Sequence, residues 1–273
     1  MARIAIYQAR SGIDPAANAA GLVKAVEHAA SESAEMLFTP EMSGLLDSDR
    51  GRAKQSVRPE AEDPVLAAVS RAAMDNRIWV QLGSLALQGS ADRFVNRAFV
   101  IDSAGEIRGR YDKIHLFDVD LPTGESWRES AVYEGGQQAV IVPGTPVGTL
   151  GLTVCYDVRF PALFERLSEA GAEVICVPAA FTVPTGKAHW EILLRARAIE
   201  AGLFIIAAAQ GGAHEDGRQT YGHSLVVDPW GDVLLDAGSE NGVHFAEIDL
   251  ARIAEVRSRV PALNHRKPIA PVD

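Results

Sequence analysis

Short apolar runs alternate with longer amphipathic segments along the chain of 273 residues. The runs are rich in Val, Ile and Leu and predict buried strands, whereas the longer segments have helical spacing. This alternation is typical of an α/β protein in which helices connect the strands of a mostly buried sheet. The predicted strands span residues 3–8, 35–38, 79–87, 93–101, 149–154, 173–177, 204–209, 223–228 and 244–248. The predicted helices span residues 17–31, 64–74, 161–170, 188–201 and 250–260.

No stretch rich in proline, glycine and serine separates these elements, so the sequence predicts a single domain over residues 1–273. A weak internal repeat is visible, because Ala-Glu-Met-Leu-Phe-Thr-Pro-Glu at 34–41 and Ala-Glu-Val-Ile-Cys-Val-Pro-Ala at 172–179 each follow a strand and a helix. A true repeat would bring the carboxyl ends of these strands to one crevice, where open α/β sheets place their sites. The alternative is that any two strand–helix–strand units look alike.

The chain is acidic, with a formal net charge of −10, and no run of lysine and arginine forms a phosphate-binding stripe. We therefore expect no nucleic-acid partner, although one or two local arginines can still hold an anionic substrate. The two cysteines, Cys155 and Cys176, are too few for a disulfide framework and fit a reducing compartment. No segment is predicted to be a signal peptide or to span a bilayer, so we expect a cytoplasmic protein with no membrane partner.

Cys155 lies where an apolar strand turns into a helix that is predicted to begin at Pro161. Backbone N–H groups at such a turn can face a developing oxyanion, and the positive end of the helix is expected to favour a thiolate. The alternative is an inert buried cysteine. Cys176 fits that alternative, since it lies inside the apolar run Val-Ile-Cys-Val.

A cysteine nucleophile needs a proton acceptor and an oxyanion donor, and two charged residues have suitable positions. Glu41 follows Pro40, which ends a predicted strand, and Lys113 lies among aromatic and aliphatic residues instead of in a charge run. A solvated carboxylate and an ordinary surface lysine are the alternatives. A buried lysine would also need a second carboxylate. The residues alone leave three candidates for it, Glu125, Glu129 and Glu134.

Three segments together resemble the nitrilase superfamily of carbon–nitrogen hydrolases: Phe38-Thr-Pro-Glu41, Tyr111-Asp-Lys113-Ile-His-Leu-Phe-Asp118 and Leu152-Thr-Val-Cys155-Tyr-Asp-Val-Arg-Phe-Pro161. The resemblance implies a four-layer αββα sandwich that associates through an αα face. It also implies that Glu41 is the general base, that Lys113 supports the oxyanion and that Cys155 is the nucleophile. By the same resemblance the Tyr156 N–H completes the oxyanion hole, and Arg128-Glu129-Ser130 identifies Glu129 as the second acid.

Later segments are similar to the Nit amidases, which act on ω-amides of 2-oxo acids, including α-ketoglutaramate and deaminated glutathione. These segments are Thr185–Glu200, Tyr221–Gly231 and His265–Pro268. Tyr156-Asp157 replaces the Trp-Glu that usually follows the cysteine of true nitrilases, and Val158 replaces the first of two arginines typical of N-carbamoyl-D-amino-acid hydrolases. We therefore expect a small-molecule amide substrate. The alternatives are another carboxamide, a carbamoyl compound, or a catalytically silent binding or scaffold protein.

Arg159, four residues after the nucleophile, is the nearest candidate to bind a substrate carboxylate, with pairing to Asp157 as the alternative. Phe181, Thr182 and Gln210 follow predicted strands and are candidate pocket residues. The seven histidines have no metal-ligand spacing, so we expect no metal and no cofactor.

The helix predicted at 188–201 has apolar residues on more than one face, which predicts a second packing partner. The resemblance also implies an oligomer, so we expect at least a homodimer whose interface includes this helix and residues 164–167.

Overall fold

A computed structural model describes residues 1–120, 124 and 126–270 and contains two mixed β-sheets flanked by helices. The helices are α1 Pro15–Ser31, α2 Arg50–Ser56, α3 Pro64–Asn76, α4 Pro161–Glu169, α5 Val183–Ala201 and α6 Ala251–Arg259. The strands are β1 Ala2–Gln8, β2 Met36–Phe38, β3 Trp79–Gln88, β4 Phe94–Ile101, β5 Ile107–Asp112, β6 Asp118–Asp120, β7 Ser126–Arg128, β8 Tyr133–Glu134, β9 Val140–Thr145, β10 Gly148–Leu152, β11 Val174–Cys176, β12 Phe204–Ala207, β13 Gly211–Ala213, β14 Gln219–Tyr221, β15 Leu225–Val227, β16 Val233–Asp236 and β17 Gly242–Ile248.

The two large sheets have matching strand orders. The first runs β17-β1-β2-β3-β4-β5, with β8 beside β4, and the second runs β9-β10-β11-β12-β15-β16. Each sheet has three central parallel strands, one antiparallel neighbour on one side and two on the other. The internal repeat predicted from residues 34–41 and 172–179 is therefore present in the topology, with β1-α1-β2 corresponding to β10-α4-β11.

The sheets pack face to face, because one apolar cluster contains Ile4 and Ile6 of the first sheet together with Leu150 and Ile206 of the second. Ala5 lies on the opposite face of β1 and packs with α1 and α3. Alternation along β1 thus separates an inner core from an outer one, and the central residues Ile4, Ala5 and Ile6 are all apolar because both faces are buried there. The result is the predicted four-layer sandwich. The shared core supports our proposal that the chain is one domain.

Several elements differ from their predicted bounds or were not predicted. β10 ends at Leu152 and β12 at Ala207, whereas α5 begins five residues before its predicted start, at Val183 with Pro184 in its first turn. Strands β5 to β9, β13, β14 and β16 and helix α2 were not predicted. β5 alternates exposed arginines with other residues, and β9 contains Pro143 and Gly144, so neither has an uninterrupted apolar run.

Helix α5 does have two apolar faces. Trp190, Leu194 and Ala198 are buried in the inner core, whereas Ile192 and Ile199 on the other side are 70% and 54% exposed. Phe164 and Leu167 are buried in the inner core of the same protomer, whereas Glu165 and Arg166 between them are exposed. A contribution of residues 164–167 to an interface stays a prediction. Within the described residues, no helix is long and apolar enough to cross a membrane. A cytoplasmic location stays a prediction.

Candidate active site

Glu41, Lys113, Glu129 and Cys155 line one cavity of about 360 Å³. Glu41 lies three residues after the end of β2, and Cys155 lies three residues after the end of β10. Both strands are central in their sheets, and the repeat places their carboxyl ends in related positions. Lys113 directly follows β5. Residues far apart in sequence are therefore brought together by the strand ends, as expected for α/β sheets.

Glu41 is held in one orientation by hydrogen bonds to both carboxylate oxygens. Oε1 accepts from Lys113 Nζ at 2.8 Å and from Asn96 Nδ2 at 2.9 Å, and Oε2 accepts from the Ala180 N–H at 2.9 Å. The loop before it lies against Gly83, where a Cβ atom would come within 2.2 Å of the Pro40 carbonyl oxygen. A glycine at this irregularity in β3 is therefore required for Glu41 to occupy its position.

Lys113 is 2% exposed and lies between two carboxylates. Its Nζ donates to Glu41 Oε1 at 2.8 Å and to Glu129 Oε2 at 2.9 Å. Burial disfavours the ammonium ion, but the negative charges of Glu129 and Glu41 outweigh that effect and raise the pKa of Lys113 well above its usual range. Burial likewise opposes ionisation of Glu41, yet Lys113 and hydrogen bonds lower the pKa of that carboxyl group. The resting site therefore holds an ammonium ion and a carboxylate.

Glu129 is the acid that the structure places on Lys113. It begins a short 3₁₀ turn and also accepts the Phe117 N–H at 2.6 Å. Glu134 instead accepts hydrogen bonds from Ser90 at the surface. Glu125 lies outside the described residues.

Cys155 begins a 3₁₀ turn and has a φ of +51°, a left-handed conformation that is uncommon for a residue other than glycine. Burial and the charge of Glu41 raise the pKa of the Cys155 thiol well above its usual range, although Lys113 acts in the opposite direction. The expected bias towards a thiolate from the end of α4 is therefore outweighed by burial and by the charge of Glu41. The Cys155 side chain is therefore a thiol at rest, and it needs a base in order to act as a nucleophile.

The Tyr156 backbone N–H follows the nucleophile directly. Within the described residues, no acceptor forms a hydrogen bond with this group. It is therefore free to donate to an oxyanion formed beside Cys155.

Asp157 joins the cysteine turn to the lysine segment, a role that the sequence did not indicate. Its buried carboxylate accepts from the Tyr111 hydroxyl at 2.7 Å, the Val154 N–H at 2.8 Å and the His115 N–H at 3.1 Å, and it contacts His115 Nδ1 at 2.7 Å. Two of these partners precede and follow Lys113, and one immediately precedes Cys155. Asp157 is thus a positioning residue that fixes the two segments relative to each other.

Asn96 is a second residue that the sequence reasoning missed. Its Nδ2 donates to Glu41 at 2.9 Å and to Glu129 at 3.3 Å, so it connects the two acids that hold Lys113. The available signal was a short polar amide in the strand Phe-Val-Asn-Arg-Ala-Phe-Val-Ile of β4, whose other residues apart from Arg97 are apolar. A buried polar side chain needs partners, so such a residue points to a site.

The four predicted substrate-binding residues divide into two pairs. Phe181 and Thr182 line the cavity. Gln210 does not, because it is fully buried and its amide donates to Ser11 Oγ and to the Glu41 carbonyl oxygen. Assigning Gln210 to substrate contact was wrong; it supports the backbone of Glu41.

Arg159 lies beside the cavity wall and not in it. Its guanidinium group packs against the wall residues Tyr156 and Phe181, with Cζ at 5.8 and 5.5 Å from their ring centroids. Both terminal nitrogens are 3.3 Å from His189 Nδ1, and no contact with Asp157 forms. Arg159, the residue predicted to bind a substrate carboxylate, is therefore not part of the cavity wall.

Much of the remaining wall comes from loops, from the short strands β7, β8 and β14 and from the start of α2, none of which was predicted from the sequence. These residues include Met42, Leu45, Leu46, Asp47, Arg50, Trp127, Arg128, Tyr133, Arg218 and Thr220. The wall thus combines an apolar surface with several charged side chains. Among the described residues, no group of three or more His, Cys, Asp and Glu side chains is arranged to hold a metal ion.

Comparison with known proteins extends along nearly the whole chain. A family model described as carbon-nitrogen hydrolase matches residues 3–258. The chain is 39% identical over 269 residues to the deaminated glutathione amidase of Yersinia enterocolitica, an alignment that covers 97% of this chain and 93% of that protein. The matched region includes Glu41, Lys113, Glu129 and Cys155.

Solved structures show the same fold. The structure of the C. elegans NitFhit protein matches with a TM-score of 0.90 and 37% identity, covering 98% of this chain and 66% of that chain. A glutamate-to-glutamine mutant of the amidase from Nesterenkonia sp. AN1, with acrylamide added at its active-site cysteine, matches with a TM-score of 0.80 and 27% identity. That alignment covers 96% of this chain and 98% of the other.

Proposed function

The chain belongs to the carbon–nitrogen hydrolases of the nitrilase superfamily, and from this membership we propose that its substrate is a small carboxamide derived from a 2-oxo acid. As an enzyme of the amidase family it acts on non-peptide carbon–nitrogen bonds. The single observation that carries the proposal is the cavity in which Cys155 lies with Lys113 and its two carboxylate partners. The proposed substrates are an ω-amide such as α-ketoglutaramate and deaminated glutathione, the latter named in the relative from Yersinia enterocolitica.

The first half of the proposed reaction forms a thioester. Glu41 takes the proton of the Cys155 thiol, and the sulfur adds to the amide carbon. The carbonyl oxygen becomes an oxyanion that accepts hydrogen bonds from Lys113 Nζ and the Tyr156 N–H. As the carbon–nitrogen bond breaks, Glu41 returns its proton to the nitrogen, which leaves as ammonia from a primary amide or as an amine from a substituted one.

The second half hydrolyses the thioester. Glu41, again a carboxylate, takes a proton from a water molecule that attacks the thioester carbon. A second oxyanion forms at the same donors and collapses to release the carboxylic acid. The departing sulfur regains its proton from Glu41, so the enzyme returns to the resting thiol. Glu129 acts by holding the Lys113 ammonium group in place through this cycle.

Intact-mass spectrometry after brief mixing with a panel of amides tests the proposal. We expect a mass increase equal to the acyl group for α-ketoglutaramate or deaminated glutathione, located on Cys155 by peptide mapping. A carbamoyl substrate would release carbon dioxide as well as ammonia, which separates the alternative chemistry. Absence of turnover and of any adduct across the panel would instead favour a binding or scaffold protein.

We also propose that the chain forms at least a homodimer through the exposed side of α5. Ile192 and Ile199 lie there, and Ile199 contacts the segment at Gly231, beside the exposed Trp230. Contiguous exposed apolar residues of this kind mark association surfaces. Light scattering at micromolar concentration should give at least twice the chain mass of 29.2 kDa. Ile192→Glu together with Ile199→Glu should give a monomer, and a monomeric wild type contradicts the proposal.

A further inference from the structure

The cavity wall contains two charged side chains that are not used by the catalytic group and are not fully paired. Besides the catalytic residues, the charged wall residues are Asp47, Arg50, Arg128 and Arg218. Asp47 accepts hydrogen bonds from Arg52 at 2.6 and 2.7 Å, and Arg128 donates to both oxygens of Asp120 at 2.9 Å. These two charges have their own counter-ions. The charged wall residues that are not fully paired are therefore Arg50 and Arg218.

Arg218 is held so that only part of its guanidinium group is engaged. Its Nε donates to Asp216 Oδ2 at 2.8 Å, and the side chain of Asp216 is completely buried. The same carboxylate accepts the Ser48 N–H at 2.9 Å, which ties Arg218 to the loop before α2. The Arg218 Cζ atom also lies 5.1 Å from the ring centroid of Trp127, another wall residue. Within the described part of the chain, neither terminal nitrogen of Arg218 contacts an acceptor at hydrogen-bonding distance.

Arg50 has weaker contacts. Its two terminal nitrogens lie 3.5 Å from the carbonyl oxygens of Ala131 and Asp92, at the outer limit of a hydrogen bond. Arginine stays charged at any ordinary pH. The wall therefore presents two positive groups with unfilled donor capacity.

We propose that Arg218, assisted by Arg50, binds a carboxylate of the substrate and determines a preference for carboxylated amides. A guanidinium group offers parallel donors that match a carboxylate, and such charge-assisted pairs are about twice as strong as neutral hydrogen bonds. Because Asp216 and Trp127 already fix the group, little side-chain entropy is lost on binding. The inference rests on the proposed function, since it assumes that the scissile amide lies at Cys155 in the same cavity.

The carboxylate could belong to the acyl part or to the amine part of the substrate, and two substrate pairs distinguish these sources. α-Ketoglutaramate and its methyl ester differ in an acyl-side carboxylate. N-propionylglycine and its methyl ester differ in an amine-side carboxylate. We measure kcat and KM for each compound with the wild type, Arg218→Gln and Arg50→Gln. Lys54→Gln serves as the control, because it removes one positive charge from α2 at an exposed position outside the wall.

Arg218→Gln should lower kcat/KM about 10- to 100-fold for the carboxylated member of at least one pair, mainly through KM, as expected for loss of a charge-assisted interaction. The kcat/KM for the uncharged member of each pair should change by less than about threefold, and this result also shows that the variant is folded. Arg50→Gln should have a smaller effect of the same kind, and Lys54→Gln none. The pair that loses its preference identifies the source of the carboxylate.

Equal losses on both members of each pair, or no loss on any, would overturn the role of Arg218 while leaving amide hydrolysis in place. If the wild type cleaves none of the four compounds and no other amide, the proposed function fails, and this inference fails with it.

Discussion

Cys155→Ala should lower the rate of amide hydrolysis by about four to six orders of magnitude, because the covalent route disappears with its nucleophile. The loss should be in kcat, with substrate binding nearly unchanged. Alanine keeps a Cβ atom at the position of positive φ, so the substitution neither relieves nor increases the backbone strain there. The free energy of unfolding should change by only about 1 kcal/mol. Steady-state ammonia or amine release and urea unfolding measure the two quantities.

Cys176→Ala is the matched control. Burial raises the pKa of Cys176 to about 12, and its sulfur lies 3.5 Å from the Gly151 carbonyl oxygen, away from the cavity wall. This variant should retain activity and still form the acyl adduct. Retention of more than about a tenth of wild-type activity by Cys155→Ala would be incompatible with a covalent mechanism at this residue.

Lys113→Met should abolish activity and destabilise the protein by about 3–5 kcal/mol at neutral pH, because two buried carboxylates lose their common counter-ion. The pH dependence of the free energy of unfolding should also reverse in sign. In the wild type the pKa of Glu41 is lowered, so its contribution to stability is full above the unfolded pKa and is lost as pH falls through the folded pKa. In the variant Glu41 lies buried without its cation, so the pKa of that carboxyl group rises and acidification favours the folded state.

Urea unfolding between pH 5 and 8 distinguishes these cases. Lys54→Met is the control, since its partner Asp92 is exposed and the pair contributes little. A triple variant with Glu41→Gln and Glu129→Gln added to Lys113→Met should recover much of the lost stability, because the repelling charges are gone. If Lys113→Met is as stable as the wild type at pH 7, Lys113 does not neutralise Glu41 and Glu129.

The sequence was most informative for strands that are buried on both faces, because burial alone explains their apolar runs. Apolar runs predicted the central strands to within a few residues, because strands buried on both faces consist mostly of apolar side chains. The segments around Glu41, Lys113 and Cys155 resembled a known family closely enough to imply the fold and the catalytic group. The similarity of 34–41 and 172–179 also indicated the repeat that relates the two sheets.

Edge strands were harder to predict, because they are not buried on both faces and so have no continuous apolar run. β5 has exposed charges on alternate positions, and β9 includes a proline and a glycine. Their pairing depends on neighbouring strands that are distant in sequence. The ionisation of Cys155 was equally dependent on distant residues, since Glu41 and burial outweigh the expected effect of the helix that follows.

The amino-acid sequence by itself determined the fold class, because its apolar runs and helical segments each form a local pattern. Three short segments also resembled a known family, which implied the roles proposed for Cys155, Glu41 and Lys113. The tertiary structure alone decided how Asn96 and Asp157 hold the site, and that Gln210 supports Glu41 instead of touching substrate. It also brought Arg218 into the cavity wall and left Arg159 outside it. The reason is that such roles depend on distances between segments, and those distances exist only after the two sheets have packed together.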